Sequence, residues 1–511
     1  MEKITDYGVM RMKKVVRPKK LEDITPKDSP VVEQQLETNV EAIKKELTDC
    51  NDVVFRSLVI ENRKATVVYV DGLIDRASQE LHGLHQLLTS IPIKNLTVEY
   101  LEQQILSVNH VLESTKIDDL IKKVLEGNTI LLVDQLEKAL VLDVKGGQNR
   151  GVAEPETEAS IRGPREGFTE QLGVNTSLIR KKIRSKHLKL VSKEIGAETK
   201  TGVVVMYMDN LAPENLVKEV FSRLDKIKID GVLESGYIEE FIEDNPWSFF
   251  PQMQNTERPD TVAANLLEGR IIILVDGTPF ALILPVSFWQ FLQASEDYYQ
   301  RFHISIFLRI LRITFIFLAL LLPAFYVAVT TYHQEMIPTN LLFSIAASRE
   351  AIPFPVFIEA LIMEIAFEAL REAGVRLPKV VGQSVSILGA LVIGQAAVEA
   401  GIVSAPMVII VSMTGIASFT IPRFNMAISI RLLRFPMMVL GGSFGLLGIV
   451  LGSIIILTHL CKLTSLGIPY FSPLGPLNWS ELKDVFIRAP WWALKKRPTE
   501  YVSGNVIRQK N

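Results

Sequence analysis

The sequence has little cysteine and almost no excess of charge of either sign. Of its 511 residues only Cys50 and Cys461 are cysteines, which excludes a small secreted scaffold held together by disulfides. The 55 basic and 57 acidic residues leave a formal net charge of −2, which gives no support for a general nucleic-acid-binding surface. A mean hydropathy of +0.24 at 22% charged residues excludes a disordered chain. It also indicates that polar and apolar residues are segregated along the chain.

Long apolar runs are missing from the first 302 residues and are concentrated after them. Four uncharged runs of roughly 20 residues, each long enough to cross a hydrocarbon core of about 30 Å as a helix, occupy 313–332, 380–398, 400–422 and 435–458. The alternative, helices buried in a large soluble core, fits poorly because such runs are typically about 10–14 residues long. The sequence therefore predicts an integral membrane protein with a large soluble N-terminal region.

Charged residues beside these runs predict the orientation of the chain. No apolar segment of the signal-peptide kind follows the basic N-terminus, so we expect the N-terminal region to be cytosolic, as the arginines before residue 313 also indicate. The basic loop at 423–434 and the basic tail after 488 both look cytosolic, yet only the run at 435–458 separates them. Either one of these two patterns misleads, or the segment 465–476 re-enters the bilayer. The number of crossings stays open.

An internal repeat organises the soluble region. Residues 65–73 match 203–211 at an offset of 138, and residues 125–134 match 267–276 at an offset of 142. In both copies another apolar run follows, which predicts β-hairpins turning at Asp134-Gln135 and Asp276-Gly277. We therefore predict two tandem α/β subdomains, unless these are merely similar valine- and isoleucine-rich strands. If the duplication is real, residues 67–71 and 205–209 must occupy equivalent strands.

The predicted layout has seven parts. They are a polar N-terminal extension (1–49), a first α/β subdomain (50–150), a linker (151–187), a second α/β subdomain (188–286), an interfacial aromatic helix (287–312), an α-helical multi-span transmembrane domain (313–461) and a C-terminal tail (462–511). The interfacial helix is inferred from aromatic residues suited to a membrane interface, namely Phe288, Trp289, Phe291, Tyr298, Tyr299 and Phe302.

Acidic residues within the membrane half are the first candidates for function. After Pro355 a helix-patterned stretch contains Glu359, Glu364 and Glu368, and Glu399 lies further on. Carboxylates at membrane depth are costly unless they face water or protein, so a ring of such helices would form a cation-attracting path. The alternative is an amphipathic helix lying at the interface, with its acids among the lipid headgroups.

Two sets of residues are candidates for assembly. A small residue recurs every four positions in the second apolar run, as expected where helices pack closely in lipid: Gly382, Ser386, Ala390 and Gly394. In the soluble region, candidates for contacts between subunits are Arg162, Arg165, Glu257 and Arg258. For Arg162 and Arg165 a solvated linker with intramolecular ion pairs is the equal alternative.

No catalytic constellation is found, and we expect no enzyme. The sequence has neither a phosphate-binding loop for nucleotide hydrolysis nor a nucleophile elbow. His82 and His85 lack further metal-ligand partners nearby, so neither a metal nor a cofactor is predicted.

Several motifs in order resemble the A subunit of the GerA-type spore germinant receptors, over roughly residues 45–495. They lie at 162–168, 256–260, 268–271, 276–279, 295–299 and 353–378. The resemblance implies a multi-pass protein of the spore inner membrane with a permease-like B subunit and a lipoprotein C subunit as partners. It also implies self-association into a ring that conducts ions when a nutrient is sensed. A paralogue associated with dipicolinic-acid release and a secondary transporter remain the alternatives, although no convincing inverted repeat supports transport.

Overall fold

The computed structural model describes residues 30–60, 63–74, 111–146, 154–155, 157–158, 160–376, 394–479 and 481–509. Within them lie two α/β units, a helical domain and a C-terminal tail. His82, His85, most of the predicted span at 380–398 and three of the four ladder residues (Gly382, Ser386 and Ala390) lie outside the described residues.

The first unit is a five-stranded antiparallel sheet with the strand order β1-β2-β4-β5-β3. Its strands are β1 (Val53–Ile60), β2 (Arg63–Val70), β3 (Val111–Ser114), β4 (Thr129–Val133) and β5 (Ala139–Leu142). Its described helices are α1 (Leu36–Glu46) and α2 (Ile117–Leu125). Apolar residues of α1 and α2 pack on one face of this sheet. The first unit thus includes α1, and residues 36–46 belong to its core rather than to a polar extension.

The second unit has the matching order β6-β7-β9-β10-β8, again antiparallel throughout. Its strands are β6 (Leu188–Ile195), β7 (Thr201–Met208), β8 (Gln254–Thr256), β9 (Ile271–Val275) and β10 (Ala281–Leu284). Its helices are α3 (Leu172–Lys182), α4 (Glu214–Lys226), α5 (Ser235–Ile242) and α6 (Pro259–Leu266).

The two units are therefore equivalent strand by strand. Residues 67–71 and 205–209 fall at the same place in β2 and β7, as the repeat requires, and both predicted hairpins form. The hairpin turns share a left-handed backbone conformation: Gln135 has φ 66° where Gly277 has φ 86°. Glycine adopts this conformation freely, whereas a residue with a side chain adopts it at some cost in strain. The first copy therefore keeps the turn geometry with a strained Gln135.

A buried ion pair joins the two units. Arg180 of α3 donates from Nε and Nη2 to the two carboxylate oxygens of Asp52, at 2.8 and 3.0 Å. The same guanidinium donates to the carbonyls of Ser185 and Leu188, so its side chain is fully buried yet hydrogen-bonded.

The segment after β10 and the C-terminal tail pack together. Phe288, Trp289 and Phe291 are less than 10% exposed and contact Tyr470 and Phe471 of the tail. The predicted interfacial helix is wrong here, because these rings fill a protein core and the chain forms two short 3₁₀ helices (Phe288–Leu292 and Ser295–Tyr298).

The helical domain contains α7 (Phe302–Tyr332), α8 (Thr339–Arg349), α9 (Val356–Arg376), α10 (Ala405–Phe419) and α11 (Phe424–Lys462). Among the described residues α7 and α11 are the two helices long and apolar enough to cross a membrane. We call the end of this domain next to the α/β units proximal and the opposite end distal. α7 runs from proximal to distal, and α9 and α10 run back, since Phe357 packs at Gly442 and Phe367 packs at Gly415.

α11 is a hairpin of two antiparallel helical arms rather than one straight rod. Gly445 has φ 62° and ψ −143°, and a Cβ added at Gly452 would lie 2.6 Å from the sulfur of Met437. In a straight helix those two residues would be about 22 Å apart at 1.5 Å per residue. The turn lies at the distal end, where the Tyr332 hydroxyl donates to the carbonyls of Gly442 and Ser443.

The hairpin accounts for the conflict between the two basic segments. Because α11 returns to its starting side, the loop before it and the tail after it both lie at the proximal end. The tail then packs on the second unit: Ser465 Oγ donates to the Gln252 carbonyl at 2.7 Å, and the Tyr470 hydroxyl donates to the Pro251 carbonyl at 2.8 Å. Residues 465–476 thus pack against the second unit, and their contacts do not support the alternative in which this segment re-enters the bilayer.

Candidate functional site

The acidic residues of α9 occupy distinct environments from the distal to the proximal end. α9 packs lengthwise among α7, α10 and α11, so it does not lie flat across the end of the domain as the interfacial alternative required. Its acids, in order along the helix, are Glu359, Glu364, Glu368 and Glu372.

Glu364 forms an ion pair in the middle of the helical domain. Arg434 of α11 donates from Nη1 to Glu364 Oε2 at 2.5 Å, and both side chains are 2% exposed. Arg434 Nε also donates to the Ala319 carbonyl of α7 at 2.8 Å, so the pair joins three helices. A buried pair of this kind persists only with close geometry and further hydrogen bonds. Glu364 Oε1 and Arg434 Nη2 have no hydrogen-bond partner among the described residues.

Glu359 is fully buried nearer the distal end. Its Oε1 accepts hydrogen bonds from the backbone amide of Ser404 at 2.6 Å and from Ser404 Oγ at 2.5 Å. Ser404 is the N-cap of α10, so this carboxylate fixes the start of that helix. Arg349 Nη2 lies 3.7 Å from Glu359 Oε2 and supplies the compensating positive charge.

The remaining acids of α9 lie at the proximal end and are more exposed. Glu368 pairs with Arg371 at 2.5 Å, and Glu372 pairs with Arg376 at 2.6 Å. The guanidinium groups of Arg371 and Arg431 both lie about 6 Å from the ring of Phe424.

Glu359 and Glu364 are thus enclosed within one protomer, each beside an arginine, whereas the other two ion-pathway candidates reach its surface. Glu399 is exposed and accepts from Gln395 Nε2 at 2.8 Å. The role of all four candidates in ion passage stays a prediction.

The packing role of the small-residue ladder also stays a prediction. Of its four residues the structure describes only Gly394, which faces Val408 of α10.

The linker is held to the second unit by Arg258. This side chain is 2% exposed and binds both oxygens of Asp260, at 3.1 and 2.9 Å. It also donates to the carbonyls of Glu158 and Pro164 and to Ser160 Oγ. Glu257 is likewise buried and accepts from the backbone amide of Thr157.

A role for Glu257 and Arg258 between subunits is therefore not supported, because both side chains are already buried and bonded within the protomer. Of the other two candidates, Arg162 is exposed and Arg165 forms an exposed pair with Glu154 at 3.2 Å. The exposure of Arg162 and the exposed pair of Arg165 do not decide whether these residues act within one subunit or between subunits.

Two further ion-pair groups connect the helical domain with the rest of the protein. Arg423, just before α11, lies 2.5 Å from Glu158 of the linker, with both side chains largely buried. At the start of α7, Arg309 and Arg312 both reach Asp297, and Arg309 also binds Asp484 of the tail at 3.0 Å. These partners were not predictable from the sequence. The motif at 295–299 contains Asp297, but nothing in its pattern indicates that the acid pairs with arginines of the first long helix.

The fold and this site define a class of protein: a repeated α/β region joined by buried ion pairs to an apolar helical domain of the membrane type. Comparison with known sequences then gives the family. The chain belongs to the Bacillus/Clostridium GerA spore germination protein family, whose profile matches residues 41–500. The family resemblance drawn from the sequence motifs is confirmed.

Curated relatives match over nearly the whole chain. An uncharacterized membrane protein, YfkQ, of Bacillus subtilis (strain 168) is 55% identical, covering 95% of this chain and 94% of that protein. Spore germination protein KA of the same organism is 47% identical, covering 94% and 90%. Spore germination protein GerLA of Bacillus cereus is 40% identical, covering 92% and 96%. The crystal structure of the N-terminal domain of the A subunit of the Bacillus megaterium spore germinant receptor GerK3 is 33% identical. It covers 51% of this chain and 99% of that domain, with a TM-score of 0.39.

Proposed function

We propose that this chain is the A subunit of a nutrient germinant receptor in the spore inner membrane, and that copies of it assemble into an ion channel that opens during germination. Family membership and the relatives named as spore germination proteins support the receptor role. The observation that carries the channel role is the buried Glu364–Arg434 pair, because ionisable groups at this depth are costly and mark ion pathways in membrane proteins.

The proposed topology places both α/β units and the tail in the cytosol. The basic residues Arg309, Arg312 and Arg423 lie at the proximal end, which makes that end cytosolic by the positive-inside rule. α7 then leaves the cytosol, and the two arms of α11 cross outward and back. By family analogy, the chain works with a permease-like B subunit that senses the nutrient and with a lipoprotein C subunit.

In this proposal the buried pair belongs to the closed state. Glu364 is neutralised by Arg434, so it offers no free carboxylate to a cation. Movement of α11 relative to α9 separates the pair and exposes the carboxylate to the path. The energy for that separation comes from the partner subunit on sensing the nutrient, through the ion pairs that hold α7 to the tail and the start of α11 to the linker, both of which pack on the second unit.

The test is nutrient-dependent ion flux through proteoliposomes that contain the complete receptor. Glu364→Gln removes the carboxylate and keeps its shape, and we expect it to change flux or selectivity. Glu372→Gln, about two turns further along α9 at an exposed position, is the matched control and should behave like the wild type.

Particle stoichiometry and co-purification complete the experiment. Several copies of this chain per complex, together with permease-like and lipoprotein partners, are expected. A monomer without conductance, with its partners and nutrient present, would refute the channel. Absence of those partners would instead favour the paralogous complex associated with dipicolinic-acid release.

A further inference from the structure

Two adjoining cavities lie where the second unit meets the C-terminal tail. Their volumes are about 610 and 350 Å³, within the range of sites for small molecules. Both are lined by Arg270 of the second unit, by Gln290 of the segment after β10, and by Arg497 and Arg508 of the tail.

Three buried polar side chains at these cavities have atoms without a partner among the described residues. Gln254 of the edge strand β8 is 1% exposed, and neither its amide nitrogen nor its amide oxygen is hydrogen-bonded. Gln290 Oε1 and Arg270 Nε are also unpaired, in side chains 7% and 5% exposed. Buried polar groups in native proteins are nearly always hydrogen-bonded, so these three together make the cavities a candidate ligand site.

The charge of the cavities is positive after internal pairs are counted. Arg508 is paired with Glu268 at 2.5 Å. Arg270 and Arg497 have no carboxylate within ion-pair distance in the described part of the chain; Arg270 lies 4.3 Å above the ring of Tyr501, and Arg497 donates to the carbonyls of Leu267, Asn505 and Ile507. Burial and the neighbouring Arg508 lower the pKa of Arg497, which agrees with an excess of positive charge here.

We propose that this junction binds a hydroxylated organic anion, with a phosphate ester as the group recognised by the Nε–Nη2 edge of Arg270, and with Nη2 of Arg497 as a further donor. Arginine binds phosphate oxygens through parallel donors. The ligand also carries hydroxyl groups, because the unpaired oxygens of Gln254 and Gln290 need donors. A free sugar or glycerol phosphate and a glycerophosphate lipid headgroup share this chemistry. The inference does not depend on the channel proposal.

The experiment measures the thermal unfolding temperature of the full-length chain with two probes at constant ionic strength. In detergent the probe is glycerol 3-phosphate, and the reference is chloride at the same ionic strength. In nanodiscs the probe is phosphatidylglycerol, and the reference is phosphatidylcholine. A ligand that binds only the folded state raises the unfolding temperature in proportion to its occupancy. Glycerol 3-phosphate active in detergent supports a free anion, and phosphatidylglycerol active in nanodiscs supports a headgroup.

Two variants and one control make the result specific. Arg497→Gln and Gln254→Leu should each weaken the probe's apparent affinity at least about tenfold, since each removes a ligand contact. Gln254→Leu removes an unpaired buried amide, so it should not lower stability without the probe. Arg56→Gln, an exposed arginine of β1, makes the same change of charge and should respond like the wild type.

Three results would overturn the proposal. One is no shift with either probe. Another is an equal shift in the wild type and all variants. The third is a shift that is lost in Arg497→Gln but kept in Gln254→Leu, because this would reduce the effect to surface charge.

Discussion

The two α/β units have the same strand order but different surroundings. In the first unit, one face of the sheet packs against α1 and α2 and the other forms a small core of its own. In the second unit, one face belongs to a core that continues through the segment after β10 into the helical domain. Its other face packs with α4, α5 and the tail residues Leu466, Ile468 and Tyr501. The repeat thus supplied two copies of a fold, and the second copy became the junction with the membrane half.

Equivalent positions in the two units carry different residues, and these account for part of the difference in surroundings. At an offset of 142, the buried Arg258 that precedes α6 corresponds to Lys116, which precedes α2 and is exposed. At an offset of 136, the buried Arg180 of α3 corresponds to Lys44 of α1, which is exposed beside Phe55. The helix positions are retained, and only the second copy has an arginine that binds outside its own unit.

The largest effect is expected at Arg258. Arg258→Met removes the cation that holds Asp260 and the linker, leaving a buried carboxylate unpaired, which costs about 3–5 kcal/mol. Hydrogen–deuterium exchange of β9 and β10 should accelerate strongly. The matched variant Lys116→Met should change exchange in β4 and β5 by an amount equivalent to at most about 0.5 kcal/mol. Equal changes in exchange in the two sheets would contradict the difference in surroundings between the two units.

A smaller effect is expected where the units meet. Arg180→Met breaks the pair with Asp52, and we expect a loss of about 3 kcal/mol, the lower end for a broken buried pair, because Arg180 binds three groups where Arg258 binds four. Limited proteolysis should then cut between the units at a higher rate. Lys44→Met removes only a cation near a ring and should leave the rate within about twofold of the wild type. Cleavage unchanged in both variants would mean that the pair does not hold the units together.

The smallest effect is a dependence on pH confined to the second unit. Burial, with Glu243 and Glu234 nearby, raises the pKa of Glu239 from 4.5 to about 8. Between these values the folded state holds a proton that the unfolded state has released, so the free energy of unfolding falls as pH rises. Glu239→Gln should therefore gain about 1–2 kcal/mol at pH 8, allowing for partial exposure of the side chain, and little at pH 5. Denaturant unfolding at both pH values checks this, with the exposed Glu240→Gln as control. A gain of the same size at pH 5 would exclude titration as the cause.

Local patterns predicted much of the soluble fold. The strands β2, β4, β7 and β9 are continuous apolar runs with turn residues after them, and periodicity is sufficient to find them. β3 and β8 were missed because they are short and partly polar, and they are defined by pairing with β5 and β10 rather than by their own residues. The reversal at Gly445 was missed because Gly441 and Gly445, four residues apart, are equally typical of helix–helix packing.

The candidate site was predicted only in part. The acids of α9 stood out because charge is rare in that half of the chain. Their partners were not predictable, since Arg434 follows Glu364 by 70 residues and was interpreted as a basic residue of a cytosolic loop. Ser404 is 45 residues from Glu359, in a neutral segment that gave no signal. Contacts between residues so far apart in the sequence depend on how the helices pack, which local patterns do not specify.

The central claim is that the second unit, through the linker that packs on it, is coupled to the start of α11, so that the junction transmits opening to the ion path. Nutrient-dependent ion release in proteoliposomes tests it through two glutamates of the same linker. Glu158→Gln weakens the pair with Arg423 at the start of α11, and Glu154→Gln weakens only the exposed pair with Arg165. We predict altered ion release for Glu158→Gln at normal protein level, and wild-type release for Glu154→Gln. Wild-type release from both variants would contradict the claim.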